Sequence, residues 1–492
     1  MNLKELKSGT DVRGVASDVF GKSVNLTDDA VINITCAFAL WLSSKIDKPV
    51  NSLKIAVGHD SRISADRISA AVISALKGLG VHIIDCGLAS TPAMFMTTVD
   101  LHTDGAVQIT ASHHPADRNG LKFFTAGGGL EGAELSEIIT RAEEGNFGSF
   151  EGAVLETVDY MSQYAAGLRK MICSAIGKTE EELPLKGYHI VVDAGNGVGG
   201  FYARDVLAPL GANTDGSRYL DPDGMFPGHI PNPEDKIAMQ SITAAVLESG
   251  ADFGVIFDTD VDRAGCVDST GKEINRNRLI ALAAIIAADG RKGATIVTDS
   301  VTSDGLREFI EKDLSCKHYR FRRGYKNVID KAIELCEQGI DCPLAIETSG
   351  HAALRENYFL DDGAYLITKI IIELGRGRDL NKTLENLKCP AEEKECRFNI
   401  TDPAFKVYGL RVIDELEAFV SSKPDIYTVA DDNREGIRVS TKYGWFLLRL
   451  SVHDPVMPMN FESDEIGGCA KMVEMIKPFF EKFEKLDISA LK

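Results

Sequence analysis

The chain has 492 residues, 44% of them apolar and 26% charged, which is too long for one core and ordinary for a globular protein of three or four domains. A formal net charge of −19 argues against a nucleic-acid or anionic-membrane surface, since both need a basic face, but a local basic pocket could still take a small phosphorylated ligand. The ten cysteines form no Cys-x-x-Cys pair and have no histidine cluster beside them, so reduced, mostly buried thiols in a cytoplasmic protein are expected.

The first residues, Met1 to Lys7, lack the apolar core of a signal peptide. Ser8-Gly-Thr-Asp-Val-Arg13-Gly14 places Arg13 in a glycine-flanked turn, useful for phosphate but common in plain loops. Ile55-Ala-Val57 reads as a strand leading to Asp60, and Ala65 to Leu79 as the helix after it. Ala106-Val-Gln-Ile109 is a second strand, ending in Thr110-Ala-Ser-His-His-Pro115. Ser112 there could be a nucleophile or phosphoryl carrier, or it could cap a following helix. Lys122, ten residues on, could return a basic side chain to the same place, or be a solvated lysine.

Ile190-Val-Val192 leads to Asp193 and then to Gly195-Asn-Gly-Val-Gly-Gly200, a formal match to the dinucleotide fingerprint. The acidic residue that should close a second strand is only loosely supplied by Asp215, so the match is weak. Phe253-Gly-Val-Ile-Phe257 reads as a buried strand, followed by Asp258-Thr-Asp260-Val-Asp262-Arg263. Three carboxylates so close need a neutralising cation, and hard oxygen ligands suit Mg²⁺ better than zinc. Arg263 adds a planar donor suited to phosphate. An EF-hand would need glycine and glutamate where Arg263 and Ser269 stand. A phosphatase with Asp258 as nucleophile, or a merely solvated acidic turn, remains open from this segment alone.

Leu279 to Ala288 is the longest apolar run and is far too short to span a bilayer. Thr295-Ile-Val297 leads to Asp299, with a helix expected over Ser303 to Glu311, and then comes Glu347-Thr-Ser349-Gly-His351. That mixture of carboxylate, hydroxyl and imidazole suits sugar hydroxyls, and His351 could move a proton near neutral pH. Strand-to-aspartate segments thus occur three times, each followed roughly 50–65 residues later by a strand with a polar ending. Repeated strand–helix units imply parallel α/β layers that bind ligands at the strands' carboxyl ends. The tail differs: Gly436 to Thr441, Gly444 to Ser451 and Val456 to Ser463 read as a meander, with an amphipathic helix over Asp464 to Leu486.

In this order the loops resemble the α-D-phosphohexomutase family, in its phosphomannomutase/phosphoglucomutase branch, from Ser8 to about Pro455. Thr110 to Pro115 is similar to the phosphoserine loop T-A-S-H-N-P, with His114 in place of asparagine. Asp258 to Arg263 is similar to the metal loop D-x-D-x-D-R, and Glu347 to His351 to the sugar loop, with Ile346 where glycine is usual. Gly58-His-Asp-Ser-Arg62, Thr91-Pro92, Phe226 to Pro233 and Asp362-Gly363 are supporting matches. The phosphate loop R-P-S-G/N-T-E-P aligns with Arg449-Leu-Ser-Val-His-Asp-Pro455, keeping Arg449 and Ser451 and replacing the rest.

The resemblance implies three related α/β domains with mixed sheets and a C-terminal α+β domain around a central cleft, bounded at 1–155, 156–272, 273–388 and 389–492. It implies a phosphohexomutase passing a phosphoryl group between Ser112 and a mannose or glucose phosphate through a hexose 1,6-bisphosphate. Ser112, Asp258, Asp260 and Asp262 would hold Mg²⁺. Lys122, Arg13 and His351 would serve proton transfer and electrostatics, with Arg263, Glu347, Ser349, His351, Arg449, Ser451 and His453 binding substrate. No nucleic-acid or membrane partner is expected, and the protein would be a monomer or homodimer. The rival reading is a non-catalytic sugar-phosphate-binding or regulatory protein on the same scaffold.

Overall fold

The computed structural model describes residues 2–451 and 454–491. The chain divides into two compact units. The first runs to Asn275 and resumes over Ser349–Asn381; the second holds Arg276–Thr348 and the chain from Lys382 onward.

The first unit contains an eight-stranded mixed sheet in the order Lys7–Ser8, Asp11–Val15, Arg118–Thr125, Gly105–Ile109, Lys54–His59, His82–Leu88, Val154–Thr157, with Gly128–Gly129 beside Arg118–Thr125. Lys54–His59 pairs in parallel with Gly105–Ile109 on one side and His82–Leu88 on the other, as strand–helix crossovers require. Helices Asp28–Lys45, Ala65–Gly78 and Gly132–Glu144 bury their apolar residues in the same core, where the rings of Phe38 and Phe123 stack at 4.4 Å. The Arg118–Thr125 strand returns antiparallel to Gly105–Ile109, which brings Lys122 back beside the serine loop.

A four-stranded sheet follows, ordered Glu273–Ile274, Ala264–Asp268, Phe253–Phe257, Ile190–Asp193. All five residues of Phe253–Phe257 are buried, as a central strand demands. The segment from Ser349 adds the antiparallel pair Ala352–Leu354 and Leu360–Asp361, then helix Gly363–Gly375, N-capped by Asp362 through the Tyr365 amide at 2.9 Å.

In the second unit, Thr295–Asp299 lies between Lys317–Phe321 and Leu344–Ile346, all parallel. The helix expected from Ser303 is present as Asp304–Glu308, capped by Ser303, and continues as a π-turn over Phe309–Asp313. The C-terminal sheet is antiparallel throughout, with Val456–Ser463 between Gly444–Leu448 and Glu392–Ile400. Phe398, Phe446, Phe461 and Phe480 fill its core.

Three expectations change. Arg13 lies on the strand Asp11–Val15, not in a turn. Gly14 is required because a Cβ there would meet Asn25 Oδ1 at 2.6 Å and Leu26 Cβ at 2.9 Å. The strand expected over 444–451 ends at Leu448, and the final helix spans Gly468–Phe480, with Gly467 left-handed at φ 83° before it. The Glu392 carboxylate accepts the Gly467 and Cys469 amides at 2.6 and 3.1 Å, so that helix is capped from a distant strand. Among the described residues no helix is long and apolar enough to cross a membrane, and all ten cysteines are free.

Candidate active site

The strand Gly105–Ile109 delivers Thr110 and Ser112 into the interior of the first unit, with Ser112 only 5% exposed. Its backbone is left-handed at φ 49°, an uncommon conformation for serine that local bonds must hold. Thr110 Oγ1 accepts the Ser112 amide at 2.9 Å and donates to Asp60 Oδ2 at 2.7 Å. The next element is the strand Arg118–Thr125, so Ser112 caps no helix.

Asp258, Asp260 and Asp262 follow the buried strand and are themselves buried, their ligand oxygens all within 4.8 Å of one another. Val261, inside this turn, has φ 65°, a costly conformation for a β-branched residue. Burial, then Asp262 and Asp260, push the Asp258 carboxyl well above the usual carboxylate range. Burial also acts to raise Asp262, but Lys122, His351 and Arg263 outweigh it and hold that group below the usual range. Among the described residues, Asp260 Oδ1 and Asp262 Oδ1 are buried without a hydrogen-bond partner. Orphaned carboxylate oxygens in a cluster of hard ligands fit a divalent cation of the Mg²⁺ type.

Three cations enclose this cluster. Lys122 Nζ stands 2.5 Å from Asp262 Oδ2 and 3.2 Å from Asp260 Oδ2. Arg263 donates from Nε to Asp258 Oδ2 at 3.2 Å and from Nη2 to Ser112 Oγ at 3.3 Å. Ser112 Oγ in turn donates to Asp258 Oδ2 at 3.2 Å, joining the serine and acidic loops directly. His351 bonds Asp361 through Nδ1 and lies 3.9 Å from Asp262 Oδ1. Burial opposes its charge, but Asp361 and Asp262 raise it to about 9, so it is an imidazolium near neutral pH.

His113 is the opposite case. Its Nδ1 lies 3.2 Å from Ser112 Oγ, and burial with Arg263, His114 and Arg13 pushes it down to about 2. His114 is lowered to about 4, by burial and then Arg13. A neutral imidazole therefore lies beside Ser112 and a charged one beside Asp262. Arg13 reaches this region as a positive charge and forms an ion pair with Asp11 at 2.9 Å.

Ser349 is buried in the first unit. Glu347, in the second, accepts the Gly324 amide at 2.6 Å, while Thr348 Oγ1 donates to Asp299 Oδ2 at 2.6 Å. Burial lowers the Arg449 pKa, and among the described residues its Nε has no hydrogen-bond partner. Ser451 Oγ accepts the Asp454 amide at 3.3 Å. His453 lies outside the described residues. Asp60, Arg62, Thr91 and Asp361 escaped assignment from the sequence. Thr91 donates to Asp260 Oδ2 at 2.5 Å; Asp60 closes the first strand-to-aspartate segment, and the supporting motifs around Arg62, Thr91 and Asp362 point to the others.

Models of the phosphoglucomutase/phosphomannomutase family match residues 5–149 (alpha/beta/alpha domain I), 162–271 (domain II) and 275–388 (domain III). The chain belongs to the phosphoglucomutase/phosphomannomutase family. It is a phosphohexomutase, an intramolecular phosphotransferase with three α/β domains and a C-terminal α+β region. The phosphomannomutase/phosphoglucomutase of Pseudomonas aeruginosa is 28% identical over 488 residues, covering 98% of this chain and 96% of that protein. The phosphoglucomutase of Neisseria meningitidis serogroup A is 28% identical over 487 residues, 97% of each. A phosphoglucomutase/phosphomannomutase family protein from Burkholderia thailandensis superposes with a TM-score of 0.81 at 25% identity, covering 99% of this phosphohexomutase and 100% of that chain.

Proposed function

We propose that this phosphohexomutase interconverts the 1- and 6-phosphates of glucose, mannose or both, with Ser112 as the phosphoryl carrier. The supporting observation is the direct bond from Ser112 Oγ to Asp258, with Arg263 on the same oxygen. Relatives named for both sugars support the substrate class. Asp258, Asp260, Asp262 and the Ser112 phosphoryl group would hold Mg²⁺, which when bound supplies positive charge to phosphoryl oxygens.

The Oγ–P bond of phosphoserine breaks as a substrate hydroxyl oxygen bonds phosphorus, giving hexose 1,6-bisphosphate. Arg263 offsets charge on the transferred group. The Lys122 ammonium gives a proton to the departing Ser112 Oγ and, as the amine so formed, takes the substrate hydroxyl's proton, with Arg13 and protonated His351 supplying positive charge. The bisphosphate then turns, its other phosphoryl group returns to Ser112, and the product leaves. Glu347 and Ser349 bind sugar hydroxyls, and Arg449, Ser451 and His453 the non-reacting phosphate. The domain bounds 1–155, 156–272, 273–388 and 389–492, a cytoplasmic setting suited to free thiols, and a monomer or homodimer belong to the same reading.

Ser112→Ala tests it. Conversion of glucose 1-phosphate to glucose 6-phosphate should vanish while circular dichroism stays unchanged. Retained turnover in that variant would sink the carrier role, and steady release of inorganic phosphate by the wild type would point to a phosphatase instead.

A further inference from the structure

Arg62 is 2% exposed and distributes its guanidinium over one short loop. Nη1 donates to the carbonyls of Pro115 and Arg118 at 2.7 and 2.9 Å. Nη2 donates to the carbonyls of Ser112 and His114, the latter at 2.6 Å. Four terminal N–H groups thus meet four carbonyl oxygens of the turn that carries the serine. The remaining edge faces Asp60, with Nε 3.2 Å from Oδ2, and the Arg62 amide donates to Asp60 Oδ1 at 2.9 Å. Phe226 covers the guanidinium at 5.3 Å.

Buried arginines ordinarily pair with carboxylates or wait for anionic ligands. Here four of five donors are committed to backbone oxygens and the fifth, on Nε, faces Asp60, so none points to substrate. The arrangement closes on itself: Asp60 Oδ2 also receives Thr110 Oγ1, and Thr110 Oγ1 receives the Ser112 amide. Ser112 is therefore fixed at its carbonyl by Arg62 and at its amide by Thr110, with Asp60 joining the two. Both grips act on a residue at φ 49°, a conformation serine would leave if released.

We propose that Arg62, with Asp60 and Thr110, is a positioning device that holds Ser112 left-handed so that its Oγ faces Asp258 and Arg263. This inference rests on the reading of Ser112 as phosphoryl carrier. A lysine at position 62 keeps the charge but cannot span four carbonyls. Phosphoryl transfer is in-line, so a displacement of about 1 Å is felt in turnover more than in binding.

The test uses full-length R62K, T110V and T110S, with Mn²⁺ as the metal probe. R62K should lose about 10²-fold in kcat, with KM for glucose 1-phosphate and the Mn²⁺ Kd within about threefold of wild type. T110V, which keeps side-chain volume, should lose about tenfold in kcat, and T110S should restore it. T110V decides the matter if R62K fails to fold. Intact mass after incubation with glucose 1,6-bisphosphate separates the two readings. If wild-type enzyme turns over with Ser112 never phosphorylated, the carrier reading falls and this inference with it. If wild-type Ser112 is phosphorylated but the folded variants keep kcat, or lose only melting temperature, the positioning role alone is overturned.

Discussion

Lys122 Nζ lies 2.5 Å from Asp262 Oδ2, placing a buried ammonium against a carboxylate that also offers an orphaned oxygen. The lysine, with Arg263 and His351, offsets charge that a divalent cation would otherwise meet. Two cations on one triad repel, so each weakens the other while the substrate's phosphate screens both.

Lys122→Met should therefore separate metal binding from turnover. Removing the ammonium is worth about 1 kcal/mol to a nearby divalent ion, or roughly fivefold tighter Mn²⁺ binding. Loss of a proton-transfer group should lower kcat about 10²- to 10⁴-fold. Calorimetric Mn²⁺ titration with steady-state kinetics checks both. Weaker Mn²⁺ binding in the variant would show that Lys122 shapes the triad rather than competing with the metal.

Gly197 belongs to the stretch that imitates a dinucleotide fingerprint, and the structure gives it another purpose. A Cβ there would meet Thr259 O at 2.5 Å and Thr259 Cα at 2.7 Å, backbone atoms between Asp258 and Asp260. Gly197→Ala should cost about 1–3 kcal/mol through overpacking and weaken Mn²⁺ binding by displacing the acidic loop. Gly167 faces open space inside the helix Tyr160–Ile176, so Gly167→Ala should instead stabilise by up to about 1 kcal/mol. Melting curves and Mn²⁺ titrations of the pair decide. Unchanged Mn²⁺ affinity in Gly197→Ala would remove the glycine from the account of the acidic loop.

What the sequence disclosed follows physical range. The strand Phe253–Phe257 and its three aspartates are legible because the apolar run and the clustered charge lie within ten residues. The repeat is legible because each strand runs into its aspartate within a few residues; Asp60 and Asp299 then accept bonds from Thr110 and Thr348, 50 and 49 residues downstream in their own repeats. Thr91 is not legible because its partner Asp260 lies 169 positions away, and Arg62 is not because its partners are backbone carbonyls, which leave no side-chain signal. The C-terminal helix begins at Gly468 and not at Asp464 because Glu392, which caps it, sits 75 residues before Gly467. The strand Glu392–Ile400 is not among the expected elements, although Cys396, Phe398 and Ile400 alternate inward.

Glu462 makes the stability of the C-terminal region depend on pH. It accepts Trp445 Nε1 at 2.9 Å, and Arg438 lies over the Trp445 ring, 3.4 Å from its centroid. Burial raises its carboxyl to about 7; the Trp445 bond and Arg438 pull it down, while Glu393 and Asp304 push it up. Glu393 is its direct cross-strand partner, a like-charge pair. A carboxyl whose folded pKa exceeds its unfolded value contributes stability fully present below the unfolded pKa, 4.5, and lost as pH rises through 7. The loss amounts to at most about 3 kcal/mol. Glu462→Gln keeps the acceptor oxygen for Trp445 and cannot ionise, and Arg438 keeps Asp304 at 2.9 Å. The variant should melt higher than wild type at pH 8, and the difference should shrink toward zero by pH 5. Thermal unfolding at the two pH values checks this. An equal gain at both, or a loss at pH 8, would show that Glu462 is ionised and stabilising where it lies.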